Sequence, residues 1–258
     1  MLVADRGAGL DVSGWDAAFA RRQSPTRDAI TRRWLTSAYP PDVEALTIWP
    51  TWDLEIVAAE LDLEPDRTLV DIGCGGAAPG LWVARRLHTR YVGIDPSEVA
   101  LQRARERAPT FLPAERYRFL RGHFEDIALP DGSADGVTAF DSFHFVQDPP
   151  VALRHIARAL RAGGRLVMVL ALPSDQARAA PFDDGSHLEG AGFRQVRIEP
   201  TPEFAARMKG GWSELLDAVD AVEAEVGAEQ AKELADNARG LLSMLDKLRH
   251  VLIVGERV

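Results

Sequence analysis

Short apolar runs alternate with helix-like segments along the middle of the chain, and this alternation constrains the fold more than any other feature. Strand-like runs between residues 68 and 199 are "TLVDI", "YVGID", "YRFLRG", "ADGVTAFD", "RLVMVLAL" and "FRQVRIE". Helices are predicted between most of them, at Pro79–Leu87, Ser97–Ala108, Pro150–Arg161 and Asp183–Ala191. This pattern predicts an α/β fold with a doubly wound, mostly parallel sheet and helices on both faces.

Both ends of the chain depart from this alternation. Residues 14–38 have the spacing of an amphipathic helix, and a second helix is expected at Asp53–Leu61. Residues 202–248 are helical in character, and a last apolar run, "HVLIVGE", follows them. We expect this run to return beside "FRQVRIE" as an antiparallel seventh strand. The predicted domains are an N-terminal helical lid (1–60), a Rossmann-like domain (61–200 and 249–258) and a helical cap insert (201–248).

Composition argues against several kinds of partner. The net charge is −9, and basic residues cluster only locally in Arg21–Trp34, so a nucleic-acid partner is not expected. The longest clean apolar run, Leu166–Leu172, is too short to span a membrane, and the N-terminus has charges where an export signal needs an apolar stretch. The single cysteine, Cys74, cannot form an intramolecular disulfide, which fits a reducing, cytoplasmic setting.

A glycine-rich turn follows the first predicted strand, in "TLVDIGCGGAAPGL". Gly73 and Gly75 lack side chains where a ligand would touch the backbone, and the next helix points its N-terminus at the same place. The turn also fits the loose dinucleotide pattern G-x-G-x-x-G/A, which alone is a weak signal. Asp71, at the strand end, would repel a pyrophosphate. Its carboxylate suits the cationic sulfonium and ammonium groups of S-adenosylmethionine.

The second predicted strand, "YVGID", ends in Asp95. A carboxylate at this place can accept hydrogen bonds from both hydroxyls of a ribose in either class of ligand. Asp95 therefore indicates an adenosine site without choosing between the two classes. The alternative interpretation is that Asp71 and Asp95 only cap helices.

Four segments in this order resemble the class I S-adenosylmethionine-dependent methyltransferases, above all bacterial small-molecule enzymes of that class. They are "LVDIGCGGAAPGLWVARRL", "YVGIDPSEVALQRARERA", "FLRGHFEDIALPDGSADGV" and "ALRHIARALRAGGRLVMV". The resemblance covers roughly residues 61–199 and the last strand. It implies S-adenosyl-L-methionine as the cofactor. It further implies three sets of contacts: the methionine part with Asp71, Gly73, Cys74 and Gly75, the ribose with Asp95, and the adenine with Pro96.

The predicted adenine edge departs from the pattern of the family. Where related enzymes commonly have glycine, an acidic residue and a small or apolar residue, this chain has Gly122-His123-Phe124. His123 replaces the acidic residue, so Glu125 or Asp126 is the alternative partner for the adenine amino group. Phe124 can still offer its backbone N–H. Phe140 ends the fourth strand, where the backbone of related enzymes faces the cofactor.

The loop after the fourth strand, "FDSFHFVQDPP", holds the candidate base. Transfer of a methyl group to a hydroxyl or an acidic C–H needs a base, whereas a neutral amine needs none. Related enzymes often place a histidine in this loop, so His144 is the first candidate, and its alternative role is a structural hydrogen bond. Asp141 is the second candidate, with a turn or helix cap as its alternative. No spacing of His, Cys and Asp residues indicates a metal site.

Aromatic residues outside the α/β core predict the acceptor pocket. Tyr39, Trp49, Phe143 and Trp212 are the predicted substrate-binding residues, and the alternative is that they only bury helices on the core. An aromatic pocket predicts a small hydrophobic or aromatic acceptor, not a macromolecule.

The predicted function is methyl transfer from S-adenosylmethionine to oxygen, nitrogen or carbon of that small molecule. Two alternatives stay open, because a fold does not determine a reaction. The chain could catalyse another reaction with the cofactor bound, or it could bind the cofactor without catalysis. The helical additions also offer a surface for a homodimer.

Overall fold

A single seven-stranded sheet forms the centre of the molecule. The computed structural model describes residues 12–21, 23–44, 47–174 and 185–258. In space the strands follow the order β3-β2-β1-β4-β5-β7-β6. Their bounds are β1 (Thr68–Ile72), β2 (Arg90–Asp95), β3 (Tyr117–Arg121), β4 (Ala134–Phe140), β5 (Leu160–Pro173), β6 (Phe193–Pro200) and β7 (Leu248–Arg257).

The pairing of the strands confirms the predicted fold class. Strands β1 to β5 are parallel, and β7 runs antiparallel to both β5 and β6. Four of the five residues of β1 are buried, as expected for a strand covered by helices on both faces. The order of strands reverses between β1 and β4, which places a crevice beyond their carboxyl ends.

Ten α-helices occur in the described part of the chain. They are α1 (Ser13–Ala20), α2 (Pro25–Trp34), α3 (Leu54–Leu61), α4 (Ala78–Leu87), α5 (Glu98–Arg107), α6 (Pro149–Ala159), α7 (Ser186–Gly190), α8 (Phe204–Asp217), α9 (Val219–Val226) and α10 (Ala228–Ser243). Side-chain caps define several starts. Ser97 accepts a hydrogen bond from the backbone of Ala100 at α5, and Asp148 accepts one from Val151 at α6.

The prediction of one helix over residues 14–38 was wrong. The structure has α1 and α2 with a break between them, and residues 35–38 form turns. Ser24 adopts an extended conformation and accepts a hydrogen bond from the Arg27 backbone, so it caps a new helix. Pro25 has no backbone N–H and suits the first position of that helix.

Two further boundaries differ from the prediction. The helix predicted at Pro150–Arg161 ends at Ala159, and β5 begins at Leu160, because this residue already pairs with Ala134 of β4 through an irregular register. Of the helix predicted at Asp183–Ala191, α7 covers the central part, and positions 183 and 184 lie outside the described residues.

Two hydrophobic clusters cover the faces of the sheet, and a third forms a cap. Leu69 and Leu81 belong to the cluster on the α4 side, and Val70 and Leu153 to the cluster on the α6 side. The third cluster joins α2 to α8, α9 and α10. Helix α2 and the predicted insert thus pack together, whereas α3 packs in the cluster on the α4 side, and the division into domains stays a prediction. Within the described ranges, no helix combines the length and apolar character that a membrane span requires.

Candidate cofactor and acceptor site

A cavity of about 340 Å³ lies at the crevice between β1 and β4. Its floor includes the glycine turn after β1, Asp95 at the end of β2 and Asp141 just after β4. Residues of the N-terminal segment, among them Phe19 and Tyr39, form another wall. The volume falls within the range of small-molecule sites, and the position is the one expected for a ligand of a doubly wound sheet.

The glycine turn presents bare backbone to this cavity. Gly73 and Gly75 have φ angles of +69° and +52°, a region that side chains disfavour. A Cβ on Gly73 would lie 2.4 Å from the Cβ of Ser142, and a Cβ on Gly75 would lie 2.9 Å from the ring of Phe19. The backbone N–H of Gly73 donates to the Ile94 carbonyl at 2.7 Å, which fixes the turn against β2.

The carboxylate of Asp95 ties this turn to the start of α5. Its Oδ2 accepts a hydrogen bond from the Gly75 backbone at 2.8 Å, and its Oδ1 accepts one from Ser97 at 2.9 Å. Burial raises the pKa of Asp95, while these two N–H groups act in the opposite direction. A carboxylate has about four acceptor positions, so two bonds leave capacity toward the cavity.

Asp71 is a buried acid with one oxygen unpaired. The residue is 1% exposed, and the Tyr91 hydroxyl donates to its Oδ2 at 2.8 Å. Its Oδ1 finds no hydrogen-bond partner among the described residues. Burial raises the pKa of Asp71 to about 7, although the hydroxyls of Tyr91 and Thr138 lower it. A nearby cation would stabilise the ionised carboxylate.

Glu125 lies at the far end of the cavity, next to His123 and Phe124. Its Oε1 accepts a hydrogen bond from the Gln147 backbone at 3.0 Å, and its Oε2 lies 3.2 Å from Nδ1 of His123. Asp126 is not among the residues that line the cavity. Of the two alternatives for the adenine amino group, Glu125 is therefore the one at the site.

Comparison with known proteins identifies the family. Residues 70–168, from β1 into β5, match the family described as "Methyltransferase domain". The chain contains a class I S-adenosylmethionine-dependent methyltransferase domain. The match covers both Asp71 and Asp95 together with the glycine turn between their strands.

Proteins similar to this chain include the 27-O-demethylrifamycin SV methyltransferase of Amycolatopsis mediterranei (strain S699), which is 31% identical over 155 residues, or 59% of this chain and 56% of that protein. An O-methyltransferase of Pyrenophora dematioidea is 25% identical over 81% of this chain and 85% of its own. The chain spans only 39% to 56% of the length of the three curated relatives that are 31% identical to it. The crystal structure of the 4+2 cyclase SpnF has the same fold, with a TM-score of 0.69 and 20% identity over 90% of this chain and 91% of that one.

The cavity fits S-adenosylmethionine, the cofactor of this family. The unpaired Oδ1 of Asp71 offers a partner for a positively charged group, and the bare turn at Gly73 and Gly75 offers space that a Cβ would fill. Asp95 offers acceptors for hydroxyl groups. Among the described residues, no group of three or more His, Cys, Asp and Glu side chains is arranged to hold a metal ion.

Every residue predicted to bind the cofactor lines this one cavity. These residues are Asp71, Gly73, Cys74, Gly75, Asp95, Pro96, His123, Phe124 and Phe140. Tyr39, predicted to bind the acceptor, lines it as well. Their individual contacts with a cofactor or an acceptor stay predictions.

Four predicted residues do not line the cavity. Trp49 (1% exposed), Phe143 (1%) and Trp212 (4%) pack in the hydrophobic clusters. The ring nitrogens of His144 are buried and have no hydrogen-bond partner in the described ranges, and burial lowers the pKa of this residue to about 4. The ring of His144 packs against Phe145, with centroids 4.1 Å apart. Their roles at the site stay predictions that the cavity does not support.

Sequence reasoning missed the part that α1 plays. The ring of Phe19 packs over Gly75, and the ring of Trp15 contacts that of Phe145 edge-on, with the ring centroids 4.5 Å apart. The Ser97 hydroxyl, at the start of α5, donates a hydrogen bond to Asp16. The signal was present in the sequence, since two aromatic residues four positions apart share one face of a helix. None of the residues of α1 is buried, so this helix lies at the surface, over the glycine turn and the start of α5.

Proposed function

We propose that the chain transfers the methyl group of S-adenosylmethionine to a small hydrophobic or aromatic acceptor. The observation that carries the proposal is one cavity that joins the glycine turn, Asp71 and Asp95 to the aromatic side chains of the N-terminal segment. When bound, S-adenosylmethionine supplies an activated methyl group, so the chain has to bind and align the two molecules and, for a hydroxyl or an acidic C–H, remove a proton.

Each wall of the cavity has a role in this proposal. The unpaired oxygen of Asp71 attracts the cationic groups of the cofactor, and the backbone at Gly73 and Gly75 lies against its methionine part. Asp95 accepts from the ribose hydroxyls, and Glu125 accepts from the adenine amino group. These assignments follow the burial and hydrogen bonding of the side chains.

Five aromatic side chains line the cavity, and they are Trp15, Phe19, Tyr39, Phe140 and Phe145. Charged residues of the N-terminal segment, such as Arg27, Asp28, Arg32 and Glu44, line it as well. The aromatic part of the lining favours an acceptor with an apolar or aromatic portion. A relative named for a small organic acceptor, 27-O-demethylrifamycin SV, supports the same class of substrate.

Binding and transfer are tested separately. We expect S-adenosylmethionine and S-adenosylhomocysteine to raise the melting temperature, and NAD to leave it unchanged. Asp95→Ala should abolish this shift, with the exposed Asp246→Ala as the matched control. Stabilisation by NAD alone would overturn the proposal.

Transfer is then measured with methyl-labelled cofactor and a panel of phenols, alcohols and amines. Label in a product supports methyl transfer. Tight binding of the cofactor with no transfer across the panel would favour another reaction on this fold, or a binding protein without catalysis. The homodimer belongs to the same proposal, and a monomer mass by light scattering would contradict it.

A further inference from the structure

Four side chains from distant parts of the sequence form one buried chain of hydrogen bonds that ends at the cavity. Nε1 of Trp52 lies 2.7 Å from Oγ1 of Thr201, and this oxygen lies 2.5 Å from Nδ1 of His250. Nε2 of His250 lies 2.6 Å from Oδ1 of Asp141. The first three residues are at most 6% exposed, whereas Asp141 lines the cavity.

The chemistry of the donors and acceptors gives this series of hydrogen bonds a direction. An indole N–H can only donate, so Oγ1 of Thr201 accepts from Trp52. An ionised Asp141 can only accept, so Nε2 of His250 donates to it. In a neutral His250, Nδ1 then carries no hydrogen and accepts from the Thr201 hydroxyl. The contacts with Asp141 and Thr201 together favour one tautomer of the imidazole.

Aromatic rings hold His250 in this orientation. The ring of Phe204 stacks on it at 5.7 Å with an angle of 8° between the planes, and Trp49 lies at 6.1 Å with an angle of 23°. The side chain of His250 is completely buried. Its polar contacts in the described structure are the two hydrogen bonds to Thr201 and Asp141, so rotation of the ring would break both.

The other oxygen of Asp141 keeps an acceptor position for the cavity. Oγ1 of Thr47 lies 3.3 Å from Oδ2 and 3.1 Å from the carbonyl oxygen of Trp49. The hydroxyl of Thr47 has a single hydrogen, so it can donate to only one of these two acceptors at a time. Asp141 itself has a φ of +51°, and its backbone N–H donates to Val169 at 2.8 Å. Such strained positions at a cavity point to function when the surroundings enforce them, as the contacts with His250 and Val169 do here.

We propose that Asp141 accepts the proton of a hydroxyl group on the methyl acceptor, and that His250, Thr201 and Trp52 are the residues that position it. This inference rests on the proposed methyl transfer. The acceptor O–H bond breaks, its proton passes to Oδ2 of Asp141, and the oxygen forms the new bond to the methyl carbon. The electron pair of the broken carbon–sulfur bond stays with the sulfur, which becomes neutral.

The geometry prefers Asp141 to His144 for this role. Asp141 lines the cavity, whereas His144 does not and both of its ring nitrogens are buried. A base has to come within hydrogen-bond reach of the proton that it removes. The buried chain behind Asp141 has no counterpart behind His144 among the described residues.

The positioning role is tested without any acceptor, by nitrogen NMR on protein labelled at its six histidines. We expect His250, assigned by comparison with His250→Gln, to carry its proton on Nε2 alone. Thr201→Val should mix the two tautomers, and Thr201→Ser should restore the single form. Thr89→Val, which removes another fully buried hydroxyl, is the matched control and should leave the signal unchanged. A proton on Nδ1 in the wild type, or no change in Thr201→Val, would overturn the inference even where no methyl is transferred.

The role of Asp141 is tested with the phenols and alcohols of the panel. Asp141→Asn keeps the shape of the side chain, so we expect cofactor affinity to stay within about twofold and kcat to fall at least about a hundredfold. Thr201→Val should lower kcat about tenfold with little change in KM, and Thr201→Ser should recover it. An Asp141→Asn enzyme as active as the wild type overturns the inference and leaves the proposed function standing. The inference would also be overturned, with the proposed function left standing, if His144→Phe lost activity while Asp141→Asn kept it.

Discussion

A Cβ placed on Gly80 of α4 would lie 2.2 Å from Oδ2 of Asp71 in β1. The same Cβ would lie 2.8 Å from the ring of Tyr91, whose hydroxyl donates to that oxygen. Helix α4 therefore packs tightly against the sheet at Asp71, an acid that lines the cavity. The absence of a side chain at Gly80 leaves space for Asp71 and Tyr91, which explains a glycine at this position of the helix.

Gly80→Ala should destabilise the protein although alanine favours helices. The intrinsic preference of the helix would add about 1 kcal/mol of stability, but the new methyl group displaces Asp71 or Tyr91 and costs more than that. Gly240→Ala in α10 is the matched control, since nothing lies within 4 Å of a Cβ there, and it should raise the melting temperature. Equal stabilisation by both changes would show that α4 does not press on Asp71.

Asp71 should give the free protein an unusual dependence on pH. Its pKa in the fold is about 7, above the ordinary value of 3.8, so between these values the folded state binds more protons than the unfolded state. Stability therefore falls as pH rises through this window, by at most about 4 kcal/mol. Asp71→Asn should remove this part of the slope, as measured by urea unfolding between pH 4 and 8 in both proteins.

The same acid should make cofactor binding depend on pH in the opposite sense. A cationic ligand favours the ionised carboxylate, so affinity should rise as pH approaches and passes about 7. Asp71→Asn should bind more weakly and show less of this rise by calorimetry. A pH-independent affinity in the wild-type protein would argue against a cation near Asp71.

Cys74 offers a direct report on whether the cofactor covers the turn. It is the single cysteine of the chain, it is buried, and burial raises the pKa of its thiol well above the ordinary value. Alkylation by iodoacetamide at pH 8 should be at least about a hundredfold slower in the folded protein than in urea. Saturating S-adenosylmethionine should slow it further in the folded protein and have no effect in urea. If the cofactor does not change the alkylation rate of the folded protein, the ligand does not cover the turn at Cys74.

Arg207 of α8 should be important for the attachment of the cap. Its guanidinium donates to the carbonyls of Trp34, Leu35 and Thr51, at 3.0, 2.8 and 3.1 Å. Arg207→Met keeps the aliphatic stem but leaves three carbonyls without this donor, which should cost about 3 kcal/mol in urea unfolding. The exposed Arg239→Met should change stability by less than about 0.5 kcal/mol. A similar small effect at Arg207 would mean that water replaces the guanidinium.

The features that the sequence predicted correctly depend on neighbouring residues. Alternating strands and helices, and the acids at the ends of β1 and β2, are local patterns, and the location of the crevice follows from them. The break before Pro25 was visible in the same way but was overlooked.

The missed features depend on contacts between distant residues. His250 and Asp141 are 109 positions apart, and no pattern along the chain relates them. The loop after β4 suggests His144 as the base, but His144 lies in the short 3-10 helix Phe143–Phe145, does not line the cavity and has both ring nitrogens buried. Which side chain of such a turn reaches the ligand depends on the packing around it.

Strand β7 pairs with β5 on one side and β6 on the other, and β6 has no other strand beside it in the described sheet. During synthesis on the ribosome, β6 therefore has no strand to pair with until the three cap helices and β7 have been made. His250 lies in β7, so its hydrogen bond to Asp141 can form only after this strand has joined the sheet. A nascent chain stalled before residue 248 would already contain Asp71, Asp95 and Asp141 but would lack the imidazole that contacts Asp141.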